Sequence, residues 1–193
     1  MVTKYWKLKN DEPLEPQLEQ AAQLLREGEV VAFPTETVYG LGADGLNGDA
    51  CRKIYAAKGR PADNPLILHI SEMEEIDPLT SGLSPMAKKL MAAFWPGPMT
   101  LIVPKSSIIP EVVTAGQETV AVRFPSNQVA RKLIHLAGRP LQRLLPTKAA
   151  SPVPPTPRMC SRIWTGSSAA CWTGAVVTSE WRAPSSIPPV LYR

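Results

Sequence analysis

Polar and charged side chains interrupt two apolar stretches of this sequence, at residues 33–44 and 58–69. The first begins Phe33-Pro-Thr-Glu-Thr-Val-Tyr-Gly, and the second reads Lys58-Gly-Arg-Pro-Ala-Asp-Asn-Pro-Leu-Ile-Leu-His. In each, an apolar run adjoins a turn that carries hydroxyl, carboxylate, amide or cationic groups. A rigid strand next to a polar loop is a common way to present donors to a ligand. We therefore expect both stretches to line a binding site.

Two cations follow a predicted helix in the second stretch, Lys58 and, two positions later, Arg60. Lysine is a point charge and arginine offers a planar fork, so together they suit a phosphate-bearing ligand. They could equally form a solvated turn in which both cations interact with the C-terminal end of the helix. Asn64, set between Asp63 and Pro65, can donate a hydrogen bond to a phosphate or a ribose.

Three other polar residues, Thr35, His69 and Arg123, adjoin predicted strands. Thr35 could belong only to a strand-to-turn junction, and His69 could be an ordinary buried histidine. Alternation along the strand that contains Arg123 places Thr119, Ala121 and Arg123 on one face. A guanidinium among apolar neighbours needs a partner, and a nearby acidic side chain is one candidate.

Composition indicates a reduced, cytoplasmic protein of one domain. The 193 residues can bury one core. No apolar run approaches the roughly 20 residues that span a bilayer, and no signal-peptide pattern follows the N-terminus. The three cysteines have neither metal-binding spacing nor an even count.

The net charge of +4 is unevenly distributed. Residues 1–141 contain 15 Lys and Arg against 16 Asp and Glu, whereas residues 142–193 contain 6 against 1. The basicity therefore belongs to the last 52 residues, and the net charge does not indicate that the rest of the chain binds nucleic acid.

Periodicity and turn residues predict a mixture of helices and strands. Helices are predicted at residues 16–28, 49–57, 84–94 and 128–137. Strands are predicted at residues 30–33, 65–70, 99–103 and 119–124. Asp49 and Ser84 are predicted to cap the second and third helices. Because strands and helices do not alternate strictly, the predicted fold is α/β or α+β with a twisted sheet.

The character of the sequence changes after Leu141. Residues 142–193 contain eight prolines, many serines and a single acidic residue, and their apolar residues follow no helical or strand period. We therefore predict two parts, a folded domain at residues 1–141 and an irregular, poorly ordered tail at residues 142–193.

Residues 33–44, 58–69 and 119–125 resemble the YrdC/TsaC-like threonylcarbamoyl-AMP synthases, and the resemblance covers residues 1–141. It implies a twisted, open, mixed sheet flanked by helices, truncated in this chain. It also implies a nucleotidyltransferase that joins L-threonine, bicarbonate and ATP, with Mg²⁺, into threonylcarbamoyl-AMP and pyrophosphate for the t6A modification of tRNA. Implied partners are tRNA or double-stranded RNA and the machinery that transfers the product.

The resemblance also implies roles for individual residues. Lys58 and Arg60 would be catalytic and would contact ATP together with Asn64 and Thr119. L-Threonine would be bound by Thr35, His69 and Arg123, with its carboxylate as the partner of the Arg123 guanidinium.

The altered composition of the tail is consistent with a shift of reading frame. Synonymous codons can be chosen for residues 142–150 so that, without the first two nucleotides, they encode Ala-Pro-Ser-Ala-Asn-Lys-Ser-Gly. The same offset applied from Glu180 permits Val-Glu-Ser-Thr-Val-Ile-Asp. Both are segments that the family resemblance predicts. We hypothesise that residues 142 to about 187 are read out of frame. A chain without these segments is expected to bind ATP poorly and to be nearly inactive.

Three other functions remain open from the sequence. The chain could be a non-catalytic module that binds double-stranded RNA or tRNA, a carbamoyl-transfer domain of the hydrogenase-maturation type, or a nonfunctional remnant. Salt-dependent RNA binding that ignores ATP and threonine would favour the first of these.

Overall fold

The computed structural model describes residues 4–7, 15–33, 40–58, 64–144 and 170–173. Five α-helices run over Glu15–Arg26 (α1), Gly48–Lys58 (α2), Pro85–Phe94 (α3), Glu111–Thr114 (α4) and Gln128–Ala137 (α5). A 3-10 helix spans Met73–Leu79. None of the helices in these ranges is long and apolar enough to cross a bilayer.

Eight strands form one sheet. They are Lys4–Lys7 (β1), Val31–Phe33 (β2), Gly40–Asp44 (β3), Ile67–His69 (β4), Thr100–Pro104 (β5), Thr119–Arg123 (β6), Leu141–Leu144 (β7) and Ala170–Thr173 (β8). Their spatial order is β1-β8-β2-β3-β7-β4-β6-β5. The pairs β4–β6, β1–β8 and β2–β8 are parallel, and the others are antiparallel. The predicted open, mixed sheet with flanking helices is confirmed.

Helices cover one side of the sheet and only part of the other. α1 and α5 pack on one side through a buried cluster that includes Leu18, Leu25, Leu133, Ile134, Val31, Phe33 and Leu141. α2, α3, α4 and the 3-10 helix pack on the opposite side through a larger cluster that includes Ile54, Ile76, Met91, Val113, Leu68 and Val122. The helical spacing of Leu18, Ala21, Ala22 and Leu25 in the sequence correctly predicts the buried face of α1.

The cluster of α1 and α5 includes no described residue of β4, β5 or β6. On that side, Ile67, Ala121 and Arg123 are partly exposed, and Ile102 is 71% exposed. We call the side of the sheet that carries Ile67, His69, Ala121, Arg123 and Ile102 the open face. His69 is buried there, and the other four residues are partly or largely exposed.

The cap of α2 lies two residues before the predicted one. The side-chain oxygen of Asn47 accepts hydrogen bonds from the backbone N–H groups of Asp49 at 3.0 Å and Ala50 at 3.2 Å. Asp49 instead pairs with Arg52 on the helix surface. The prediction of Asp49 as the cap is wrong, because the helix already begins at Gly48 and Asn47 accepts from its unpaired first N–H groups. The Ser84 cap is confirmed, since its hydroxyl oxygen accepts from Ala87 N at 3.1 Å.

The boundary predicted after Leu141 falls inside a strand. Residues 141–144 form β7, which is hydrogen-bonded between β3 and β4 in the middle of the sheet. Residues 170–173 form β8 between β1 and β2. Ladder hydrogen bonds use backbone groups that every residue except proline supplies, so a segment without strand periodicity can still pair. The rest of the predicted tail lies outside the described residues.

Candidate functional site

The parallel pairing of β4 and β6 brings His69 and Arg123 together. The two residues are register partners at the C-terminal ends of their strands. Neighbouring strands are about 4.8 Å apart, and register partners point to the same side of the sheet. The sequence predicts both residues for the threonine site, and the structure places them side by side on the open face.

His69 is 1% exposed, and its ring is oriented by its own strand. Nδ1 lies 3.1 Å from the carbonyl oxygen of Ile67. Because a carbonyl can only accept, Nδ1 carries the proton in this contact, and Nε2 of the neutral ring is then an acceptor. An acceptor here suits the hydroxyl or amino group of a ligand. The burial of His69 is equally compatible with a structural histidine.

Arg123 is held by contacts at both its backbone and its side chain. Its carbonyl oxygen accepts from Ile70 N at 3.0 Å, which fixes the ends of β4 and β6 against each other. Its Nε–H donates to the carbonyl oxygen of Gly97 at 3.3 Å. The side chain is half-buried. A fixed, partly desolvated guanidinium is a suitable group for binding a carboxylate.

Thr119 shares a face with Arg123 but lies at the other end of β6. The predicted alternation is confirmed, because Val120 and Val122 are buried while Thr119, Ala121 and Arg123 are partly exposed. Four residues of extended strand separate Thr119 from Arg123 by about 13 Å. Thr119 pairs with Pro104 on the edge strand β5. It therefore does not join the His69 and Arg123 pair.

Two of the residues predicted to bind ATP, Asn64 and Thr119, lie at the opposite ends of the strands from His69 and Arg123. Lys58 is the last residue of α2. The backbone carbonyl of Asn64 accepts from the Tyr55 hydroxyl at 2.9 Å, and its exposed side chain precedes β4. Since β4 and β6 are parallel, Asn64 and Thr119 both lie towards the N-terminal ends of these strands. The side chain of Lys58 and the whole of Arg60 and Thr35 lie outside the described residues.

A cleft of about 470 Å³ opens beside α5 and the segment after β4. Its charged lining is largely paired within the chain. Lys132 Nζ lies 2.7 Å from Glu15 Oε1, and Arg131 Nη2 lies 4.0 Å from Glu72 Oε1. None of the described residues that the sequence predicts as ligand contacts lines this cleft. The candidate site is therefore the open face and not the cleft.

Comparison with known proteins identifies the family. A family model that groups Sua5, YciO and YrdC, described as telomere recombination, matches residues 23–171. The chain belongs to the Sua5/YciO/YrdC family. Threonylcarbamoyl-AMP synthase of Pyrococcus abyssi is 54% identical over 121 residues, which is 63% of this chain and 36% of that protein. The Bacillus subtilis enzyme of that name is 53% identical over 145 residues, 73% of this chain and 42% of its own length.

A solved structure carries a ligand as well as the fold. The crystal structure of P. abyssi Sua5 complexed with L-threonine is 39% identical, with a TM-score of 0.78, covering 91% of this chain and 51% of that one. The chain thus spans about two fifths of the two curated relatives, at 36% and 42%, and about half of this structure, at 51%.

Two residues that adjoin the candidate site, Glu75 and Gly97, are not predicted from the sequence. Glu75 accepts from both Ser71 N at 2.7 Å and Ser71 Oγ at 2.8 Å, and so secures the chain two residues after His69. Gly97 contacts Arg123 although it lies between the predicted helix at residues 84–94 and the predicted strand at residues 99–103, where no ligand contact is predicted. Contacts between residues distant in the chain leave no periodic signal, and only the Trp-Pro-Gly-Pro run marks an unusual turn.

Cys51 lies on α2, and its side chain is buried in the core. Burial, reinforced by the negative charge of Asp44, raises the pKa of its thiol to about 12. Its Sγ–H donates to the carbonyl oxygen of Asp44 at 3.4 Å. A thiol with this pKa is protonated at neutral pH, so Cys51 is a core residue and not a nucleophile.

Gln142 is the polar residue that fits its surroundings least well. It is fully buried, and its register partners Leu68 and Ala43 belong to the apolar cluster beneath α2 and α3. Neither Oε1 nor Nε2 has a hydrogen-bond partner among the described residues. A buried, unsatisfied amide destabilises a core by roughly 1–3 kcal/mol. Residue 142 is also the first residue of the segment that we hypothesise to be out of frame.

Proposed function

We propose that this chain is the threonine- and nucleotide-binding part of a threonylcarbamoyl-AMP synthase. The observation that carries the proposal is the pairing of His69 with Arg123 on the open face of a chain that is 54% identical to a protein of that name. The proposed reaction joins L-threonine, bicarbonate and ATP into threonylcarbamoyl-AMP and pyrophosphate.

Threonine is proposed to bind at the C-terminal ends of β4 and β6. The guanidinium of Arg123 pairs with the substrate carboxylate, and Nε2 of His69 accepts from the hydroxyl or amino group. Thr35 is proposed to complete the site. The half-buried position of Arg123 strengthens its attraction for a carboxylate relative to a fully exposed arginine.

MgATP is proposed to bind as the second substrate near the N-terminal ends of the same strands. Lys58 and Arg60 supply two cations close to the end of α2, where they would stabilise charge that develops as pyrophosphate leaves. Asn64 and Thr119 would contact the phosphates or the ribose. The Mg²⁺ ion would be held mainly by the phosphates.

The product is proposed to pass to the machinery that modifies tRNA, in the cytoplasm. Contact of the open face with tRNA or double-stranded RNA belongs to the same proposal. Shape-directed RNA binding would show a strong dependence on salt concentration.

The 193-residue chain itself is proposed to have little or no activity. The unsatisfied amide of Gln142 supports the out-of-frame hypothesis, because the alternative frame permits an alanine at this point. An alanine would leave no polar side-chain atom in the apolar cluster.

Threonine binding by the full chain tests the proposed site. We expect L-threonine to cause saturable shifts of the backbone NMR signals of residues 67–70 and 119–124. Arg123→Ala should weaken binding roughly 10-fold or more, since a charge-assisted hydrogen bond contributes roughly 1.5–3 kcal/mol. Arg123→Lys should bind threonine with an affinity between those of the unchanged chain and the Arg123→Ala variant, because lysine keeps the charge and loses the planar fork.

Arg52→Ala is the matched control, because Arg52 lies exposed on α2 and pairs with Asp49. It should bind threonine as the unchanged chain does. Equal threonine affinity of the Arg123→Ala and Arg52→Ala variants would contradict the proposed role of Arg123.

A further inference from the structure

The turn between α3 and β5 is fastened to the end of β6. Gly97 N donates to the carbonyl oxygen of Phe124 at 2.8 Å. The indole N–H of Trp95 donates to the carbonyl oxygen of Met99 at 2.9 Å and so closes the turn on itself. The rings of Trp95 and Phe124 meet edge to face, with centroids 6.4 Å apart. The turn and the end of β6 therefore form one rigid unit.

This rigid turn presents one carbonyl to the side chain of Arg123. Gly97 uses its N–H on Phe124 and its carbonyl oxygen on the Nε–H of Arg123, at 2.8 Å and 3.3 Å. A guanidinium is planar, and a hydrogen bond to Nε restricts the rotation of that plane about the side chain. A turn that only ended α3 and began β5 would not require the second contact.

Residue 97 must also be a glycine. A Cβ atom at this position would lie 2.5 Å from the carbonyl oxygen of Phe94, which belongs to the last turn of α3. Real Cβ atoms essentially never approach another atom this closely, and the obstacle is backbone rather than a flexible side chain. Any side chain would therefore displace the Gly97 carbonyl from its place beside Arg123.

We propose that Gly97 is a positioning residue for substrate binding, and that the Trp95–Met99 turn holds it in place. Its carbonyl sets the orientation in which the Arg123 guanidinium meets the threonine carboxylate. This inference rests on the proposed role of Arg123 as the carboxylate ligand. Trp95 acts one step further away, by closing the turn that carries Gly97.

The test compares Gly97→Ala with Gly82→Ala in the full chain. Gly82 is a matched control, because it is exposed and a Cβ there would meet nothing within 4 Å. Two quantities are measured by NMR. They are the dissociation constant of L-threonine and the hydrogen-exchange rate of the Arg123 Nε–H, a direct readout of the bond to Gly97.

We expect Gly97→Ala to accelerate Nε–H exchange and to weaken threonine binding by up to roughly the 10-fold expected for Arg123→Ala, since a displaced guanidinium loses part or all of its charge-assisted hydrogen bond. Gly82→Ala should change neither quantity. Trp95→Phe removes the indole donor while it keeps an aromatic ring. It should give a smaller change in the same direction, and it serves if Gly97→Ala fails to fold.

The two readouts separate failure of this inference from failure of the proposed function. Unchanged Nε–H exchange in a folded Gly97→Ala or Trp95→Phe variant would overturn the positioning role, whatever the threonine affinity. Faster exchange with unchanged threonine affinity would also overturn it. If the unchanged chain binds no threonine, the proposed function fails, and the exchange rates alone decide whether Gly97 orients Arg123.

Discussion

Gln142 is the residue at which the sequence conflicts most clearly with its surroundings. Its side chain is enclosed by an apolar cluster and has no partner for either polar atom among the described residues. A buried amide loses hydration on folding, and only a hydrogen bond compensates for that loss. An apolar side chain of similar size would fill the same space without this penalty.

We therefore expect Gln142→Met to raise the free energy of unfolding by roughly 1–3 kcal/mol. Urea unfolding with a shared m-value measures the change. Gln117→Met is the control, because Gln117 is exposed, and it should stay within about 0.5 kcal/mol of the unchanged chain. A Gln142→Met variant that is less stable than the parent would show that the amide is satisfied.

Residue patterns predict the side of a strand on which a residue lies better than they predict its contacts with residues of other elements. Alternation along β6 correctly places Thr119, Ala121 and Arg123 on one side. It cannot give the direction and register of β4, which bring His69 beside Arg123 and leave Thr119 at the far end. Alternation also cannot predict the contact of Gly97 with Arg123, because the two residues are 26 positions apart in the sequence.

At the scale of elements, the start of α2 depends on a loop residue. The first backbone N–H groups of a helix have no partner within it, and Asn47 supplies one for Asp49 and Ala50. Asp49 lies inside the helix and makes an exposed pair with Arg52. Exposed ion pairs contribute little to stability because water screens them.

Asn47→Ala should accordingly destabilise the fold by about 0.5–2 kcal/mol through loss of the cap. Asp49→Ala should change stability by at most about 0.5 kcal/mol. Thermal unfolding followed by circular dichroism compares the two variants directly. A larger loss for Asp49→Ala than for Asn47→Ala would restore the predicted cap and reject the observed one.

Eight of the fourteen described elements are predicted from the sequence, and β3, β7 and β8 show why others are not. The four predicted helices and four predicted strands all form, with ends within about two residues of those expected. β3 is missed because Gly-Leu-Gly-Ala-Asp has low strand propensity and is stabilised by pairing on both sides. β7 and β8 lie in sequence without strand periodicity, so only their backbone pairing reveals them.

At the scale of the whole molecule, we expect the proposed activity to depend on residues beyond 141. The resemblance implies two late segments that the written sequence lacks. We expect a protein with the reading frame restored from codon 142 to release pyrophosphate only when both ATP and L-threonine are present. The 193-residue chain should release little or none under the same conditions. In the restored protein, Lys58→Ala should reduce the rate, as a control that release depends on the proposed site.

Detectable release from the 193-residue chain, dependent on both substrates, would contradict the predicted inactivity. Sequencing of the gene across codons 135–193 provides an independent check. Nucleotides that encode Ala-Pro-Ser-Ala-Asn-Lys-Ser-Gly and Val-Glu-Ser-Thr-Val-Ile-Asp in another frame would support the hypothesis, and nucleotides that encode neither segment in any frame would reject it.

The place of β7 in the sheet also determines when the fold can form during translation. The strand lies between β3 and β4, yet of the eight described strands only β8 is synthesised after it. Until residues 141–144 emerge, β3 and β4 present unsatisfied edges to each other across an empty position. We therefore expect the nascent chain to depend on chaperones until residues 141–144 have emerged. A frame change at codon 142 alters the strand that joins β3 to β4.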